Sequence, residues 1–131
     1  MKNSQLRRGL LRLTAIVFTG IAIGSLIKPH VMAEGLGYSL DNVDALNEFR
    51  AVYVGLWLAT AVLLVIAANR VQEALLGDLC AILVLGQVAG RAVSVLLDGM
   101  PSERVLTMLA LEAIGGLALL LVRPSEVKEA T

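Results

Sequence analysis

Four long apolar runs fill most of a 131-residue chain. They are Leu10–Ile27, Ala51–Ala68, Leu79–Leu97 and Val105–Val122, each 18 or 19 residues long. A helix needs about 20 such residues to cross a hydrocarbon layer of about 30 Å. These runs are apolar on every face, whereas a helix on the surface of a soluble domain keeps one polar side. The chain therefore reads as an all-α, polytopic membrane protein. We expect an antiparallel bundle of four transmembrane helices at about 5–28, 43–68, 71–97 and 102–122. The longest polar connection, Lys28–Leu46, has 19 residues. It leaves no room for a second domain, so residues 1–131 are expected to form one.

Charge placement sets the expected orientation. Lys2, Arg7, Arg8, Arg12, Arg70, Arg123 and Lys128 fall on one side of such a bundle, and Lys28 and Arg104 on the other. Seven against two fits cytoplasmic loops rich in Lys and Arg. Both termini are expected in the cytoplasm, with the protein in a bacterial inner membrane. Arg7-Arg8 and Val31-Met32-Ala33 loosely resemble an export signal, but the apolar core is long for one. The first run is expected to be retained. The formal net charge is zero, so nothing steers the chain toward nucleic acid.

Local signals mark the helix ends. Asn3 or Ser4 can cap the first helix, and Pro29 disfavours helix at Lys28. Gly35, Gly37, Ser39, Asp41 and Asn42 suggest an irregular loop. Asp41 or Asn42 can cap the second helix, with Asp44 in its first turn. Asn69 suits a left-handed closing residue. Gly99 closes the third helix, Ser102 caps the fourth, and Arg123-Pro124 ends it before a polar tail.

Two G-x-x-x-G pairs, Gly20/Gly24 and Gly86/Gly90, put bare backbone on one helix face and invite close packing. That packing can lie within the bundle, or against a second copy or another membrane subunit. Cys80 reads as a small buried apolar residue, His30 as a solvated loop residue, and Trp57 as core.

The charged residues inside the spans carry the functional question. On the third helix, Gln87, Arg91, Ser94 and Asp98 share one stripe. Arg50, Tyr53 and Trp57 share a face on the second. Arg91 lies about 10 Å, and Glu112 about 12 Å, below the outer ends of consecutive helices. An uncompensated charge at mid-bilayer costs about 2.5–3.5 kcal/mol on insertion scales. Arg91 and Glu112 are therefore expected to meet inside the bundle. Gln87, Ser94 and Tyr53 would add hydrogen bonds, and Asn47, Glu48 and Arg50 would complete a polar cluster from the outer side. Asp78 is expected at the inner headgroup boundary, facing Arg70 or water.

Three readings of the pair stay open: Arg91 snorkels outward, the pair locks helix register, or it lines a ligand pocket. No spacing suits a metal, and no cofactor is expected. No span carries a lysine for a Schiff base, and no P-loop or G-x-S-x-G occurs. Any catalysis would be acid–base work by Glu48 or Glu112 beside an arginine.

The runs Asn47-Glu48-Phe49-Arg50-Ala51-Val52-Tyr53 and Gly55-Leu56-Trp57 are informative together with Gly90-Arg91, Ser94, Asp98-Gly99-Met100-Pro101-Ser102 and Glu112. With them, nearly the whole chain resembles the bacterial family called domain of unknown function 4345. Val54 departs from the second glycine usual there. The resemblance implies a small four-helix membrane protein and no assigned activity. Two functions then compete. One is a non-enzymatic accessory or assembly subunit of a larger membrane complex. The other is a binder, carrier or enzyme for a small amphipathic or anionic molecule, acting through the outer polar patch. A cavity of a few hundred Å³ lined by those side chains would favour the second.

Overall fold

The computed structural model describes residues 2–124, and no strand occurs among them. Lys128 and the polar tail fall outside the described residues. Helix α1 spans Lys2–Ile27, α2 Pro29–Gly35, α3 Val43–Asn69, α4 Ala74–Asp98 and α5 Glu103–Leu121. Four of these, all but α2, are long and apolar enough to cross a membrane. Their outward side chains match that reading: Ile16, Val62, Ile82, Leu96 and Ile114 are all exposed. Exposed apolar surface on every helix suits acyl chains and not water. The chain is a multi-pass membrane protein.

Within the spans, polar side chains satisfy themselves locally. The hydroxyls of Thr14, Thr19, Thr60 and Thr107 each donate to the carbonyl four residues earlier, at 2.8–2.9 Å. Such bonds spare a hydroxyl any unmet demand in hydrocarbon.

The core is narrow and rich in alanine. Leu11, Ala15, Phe18 and Ala22 of α1 face Trp57, Ala61, Leu64 and Ala68 of α3. Cys80, Ala81 and Val84 of α4 and Leu119 of α5 complete it. Helix α1 packs mainly on α3, and α4 mainly on α5. The two pairs join along α3 and α4, with thinner contact between α1 and α5. Asp78 meets Arg123, and Arg91 meets Glu112. Contact positions thus rise along α4 as they fall along α5. Arg7 lies beside Asp78, so residues 7 and 123 share one end of the molecule, here the terminal end. Gly35 and Arg104 meet at the opposite, loop end.

Several helix ends differ from expectation. Helix α1 already includes Asn3 and Ser4, so neither caps it. Ser4 instead accepts a hydrogen bond from Gln72 across the inter-helix turn. Residues 29–35 are helical and not loop, because Pro29 at the first position is preset for a helix. Exposed His30 therefore sits on α2. Gly37, at φ +82°, closes α2. Its N–H donates to the Glu34 carbonyl and that of Tyr38 to Ala33, a Schellman closure.

Asn42 caps α3, its side-chain oxygen accepting from the Ala45 N–H at 2.8 Å, while Asp41 accepts from Ser39. Asn69 ends α3 with ordinary backbone, because Arg70 makes the turn at φ −113°. Gly99 closes α4 at φ +93°, as its sequence position suggests. Ser102 occupies the cap position of α5, but its hydroxyl makes no capping bond.

One internal feature of α3 is absent from the sequence reading. Residues Ala51–Leu56 form a π-helical segment between two α-helical stretches. Wider turns of this kind change which residues share a face and recur at functional sites.

The close-packing glycines also differ from those expected. Gly20, Gly86 and Gly90 have open space where a side chain would be, and only Gly24 is covered, by Met32 of α2. The close approaches fall at Gly116, against Leu85, and at Gly77, against Arg7. Helices α4 and α5 meet through the face bearing Leu85, while Gly86 is exposed and Gly90 borders a cavity at the loop end.

Candidate functional site

Arg91 and Glu112 meet in the loop-end half of the molecule. Arg91 Nε donates to Glu112 Oε2 at 3.0 Å, and Nη2 donates to Oε1 at 3.3 Å. The side chains are 22% and 14% exposed, so the pair is neither sealed nor free. Both carboxylate oxygens grip one edge of the guanidinium. The remaining nitrogen, Nη1, makes no hydrogen bond to any described residue. This edge-on arrangement leaves a planar donor group with one side unused.

Arg91 lines a cavity of about 350 Å³ with Tyr38, Tyr53, Ser94, Gly99 and Pro101 at the loop end. It also lines a smaller apolar recess of about 150 Å³ between α3 and α4, with Val52, Leu56, Trp57, Leu83 and Gln87. Glu112 borders a third space, an apolar groove of about 370 Å³ between α1 and α5. The ion pair thus sits where three openings converge.

Tyr38 and Tyr53 of the loop-end cavity begin an aromatic ladder that runs on into the core. Tyr38 meets Tyr53 edge-on at 6.1 Å, with the two hydroxyls 3.3 Å apart. Tyr53 stacks on Phe49 at 4.5 Å and leans on Trp57 at 5.3 Å. Trp57 in turn packs on Phe18 at 5.0 Å. These five rings are all the Phe, Tyr and Trp of the chain. Helix spacing accounts for Tyr53 next to Trp57. Nothing in the sequence brings Tyr38 there, since it depends on the turn at Gly37.

The rest of the expected polar cluster disperses. The Ser94 hydroxyl donates to Asp98 on its own helix at 3.1 Å, and both residues are exposed. Gln87 borders the smaller recess and makes no hydrogen bond among the described residues. None of Gln87, Ser94 and Tyr53 bonds to the pair. Asn47, Glu48 and Arg50 are exposed. Glu48 borders a separate apolar cavity of about 330 Å³, also walled by Tyr38 and Tyr53. No ion pair joins Glu48 or Arg50 to Arg91 or Glu112. The π-helical segment begins directly after Arg50 and takes it off the face it would share with Tyr53 in a regular helix.

A second charged cluster lies at the terminal end. The Arg7 side chain is 1% exposed. Its Nη2 donates to Asp78 Oδ1 at 2.6 Å and to the Ala74 carbonyl at 3.1 Å. Arg123 Nε lies 2.8 Å from the other Asp78 oxygen. Asp78 therefore faces two arginines instead of Arg70, which pairs with exposed Glu73 at 3.7 Å. Gly77 makes room: a Cβ there would stand 2.7 Å from the Arg7 guanidinium carbon. Among so many basic residues at this end, the sequence does not single out Arg7. The usable signal is Asp78 preceded by glycine, an acid one turn inside an apolar helix.

No group of three or more His, Cys, Asp or Glu residues that could hold a metal ion occurs among the described residues. Cys80 is free and buried.

Comparison with known proteins adds one finding. The model of the family "Domain of unknown function (DUF4345)" matches residues 6–123, so the chain belongs to that family. No curated protein and no solved structure matches it.

Proposed function

Starting from membership of a family with no assigned activity, we propose a non-enzymatic binding protein for a small anionic, amphipathic molecule. It resides in the bacterial inner membrane as an antiparallel four-helix bundle of one domain, with both termini cytoplasmic. The ligand occupies the loop-end cavity, which then faces the periplasm. One observation carries this reading: Arg91 has one edge held by Glu112 and its Nη1 unbonded, in the wall of a cavity of about 350 Å³. A guanidinium prepared in this way accepts an anion without first losing its counter-ion. Tyr38 and Tyr53 bring hydroxyls to the same cavity, while that of Ser94 is committed to Asp98. Glu112, with both oxygens engaged, is poorly placed to act as a base, which speaks against acid–base catalysis there.

The test is purification in mild detergent followed by native mass spectrometry. We expect a small acidic molecule bound to the wild type and absent from R91Q/E112Q, which keeps hydrogen-bonding groups at both positions. The same adduct on both proteins, or on neither, contradicts the proposal.

The accessory-subunit reading retains one observation in its favour. Gly86 faces open space on α4, and Gly90 one turn on borders the loop-end cavity, so a helix of another subunit or a second copy could approach closely there in place of a ligand. Co-purification of a membrane partner, lost in G86L/G90L, would support it.

A further inference from the structure

We infer that the ligand is a single-chain lipid with an anionic headgroup, a fatty acid being the simplest case. It reaches Arg91 sideways from the bilayer, between α3 and α4. This inference rests on the binding role proposed for Arg91 and adds the ligand class and its route.

The two spaces that meet at Arg91 differ in character and share Tyr53 as well. The larger holds the hydroxyls and opens at the loop end. The smaller is a mainly apolar recess, in which the Thr60 hydroxyl is spent on its own helix, and its lining residues Leu56 and Leu83 are 53% and 40% exposed, on a surface that faces acyl chains. A water-soluble anion would need only the first. An amphiphile fits both, with its headgroup on the free Nη1 and its chain in the recess.

Size limits the chain count. The recess measures only about 150 Å³, less than half the loop-end cavity. That accommodates the first stretch of one chain, with the remainder in the surrounding bilayer. Depth points the same way. Arg91 lies seven residues before Asp98, the last residue of α4. That is about 10 Å along the helix, below the headgroup layer. A small headgroup attached to one chain can slide down the helix flank to that level. A bulky two-chain phospholipid would have to pull its whole polar region after it.

Trp57 is the only tryptophan in the chain and lines the recess, so it reports occupancy directly. The experiment uses the full chain in discs of zwitterionic lipid. The probe is a fatty acid brominated near its carboxyl end, with its methyl ester as control. Binding of radiolabelled butyrate, which has the carboxylate but almost no chain, is measured alongside.

We expect the brominated acid to quench Trp57 saturably and the ester to do so only weakly. R91Q/E112Q and the rim-filling L83F should each weaken quenching by the acid at least tenfold, while L83F leaves butyrate binding unchanged. If butyrate binding needs Arg91 but the brominated acid fails to quench, or L83F has no effect, the lateral lipid site is wrong and the anion site stands. If neither acid depends on Arg91, both fall.

Discussion

At the scale of the residue, the central object is an ion pair inside a membrane span. Its strength as a lock is measurable apart from any ligand. Removing one partner leaves the other charge uncompensated, at a cost of about 3–5 kcal/mol, while replacing both by apolar groups is often neutral. R91A and E112A should therefore each destabilise the protein strongly. R91L/E112L should recover most of the loss in a denaturation series, with clear non-additivity. Additive losses would mean that the pair is not coupled. The glycines offer a second contrast. G77A drives a Cβ into the buried Arg7 guanidinium and should cost about 1–3 kcal/mol in the same assay. G86A and G90A enter open space and should shift stability by less than about 0.5 kcal/mol. This ranking reverses the one suggested by the G-x-x-x-G pattern, because sequence spacing shows which glycines share a face but not which way it turns.

At the scale of the element, the spans were legible because their signal is composition over 18 residues or more, which local detail barely perturbs. Two shorter features were not. Helix α2 hides in a segment rich in turn-forming residues, and only Pro29 hints at it. The π-helical segment has no sequence signature, yet it explains why Arg50 leaves the site while Tyr53 and Trp57 stay. Deleting Val54 should convert this stretch toward regular helix and rotate the preceding residues relative to Trp57. We expect the Tyr53–Trp57 contact to break while Phe49 and Tyr53, both before the deletion and four residues apart, stay together, with Trp57 emission shifting to the red. Unchanged emission would show that the π-helical geometry does not hold the ladder together.

At the scale of the whole molecule, long-range pairing was only half legible. Arg91 and Glu112 are the sole charges of their apolar runs, and depth arithmetic on neighbouring spans brings them together. Arg7 and Asp78 have no such isolation, since Arg7 sits among several basic residues and Asp78 near a span end. Orientation is open to direct measurement. In a C80A background, a cysteine at Ser39 should react with a membrane-impermeant thiol reagent added to cells with a permeabilised outer membrane. A cysteine at Asn69 should react only after the inner membrane is opened. The opposite pattern would invert the topology and place the cavity in the cytoplasm.

The Arg91 guanidinium is half occupied, one edge held by Glu112 and the other open to a ligand. Side-chain nitrogen NMR of the labelled protein, with Arg91 assigned by comparison with R91K, reads its two edges separately. On titration with decanoate, Nη1 should shift progressively while Nε, held by Glu112, stays nearly still. No movement at Nη1, or an Nε signal that moves as far as Nη1, would contradict this half-occupied arrangement.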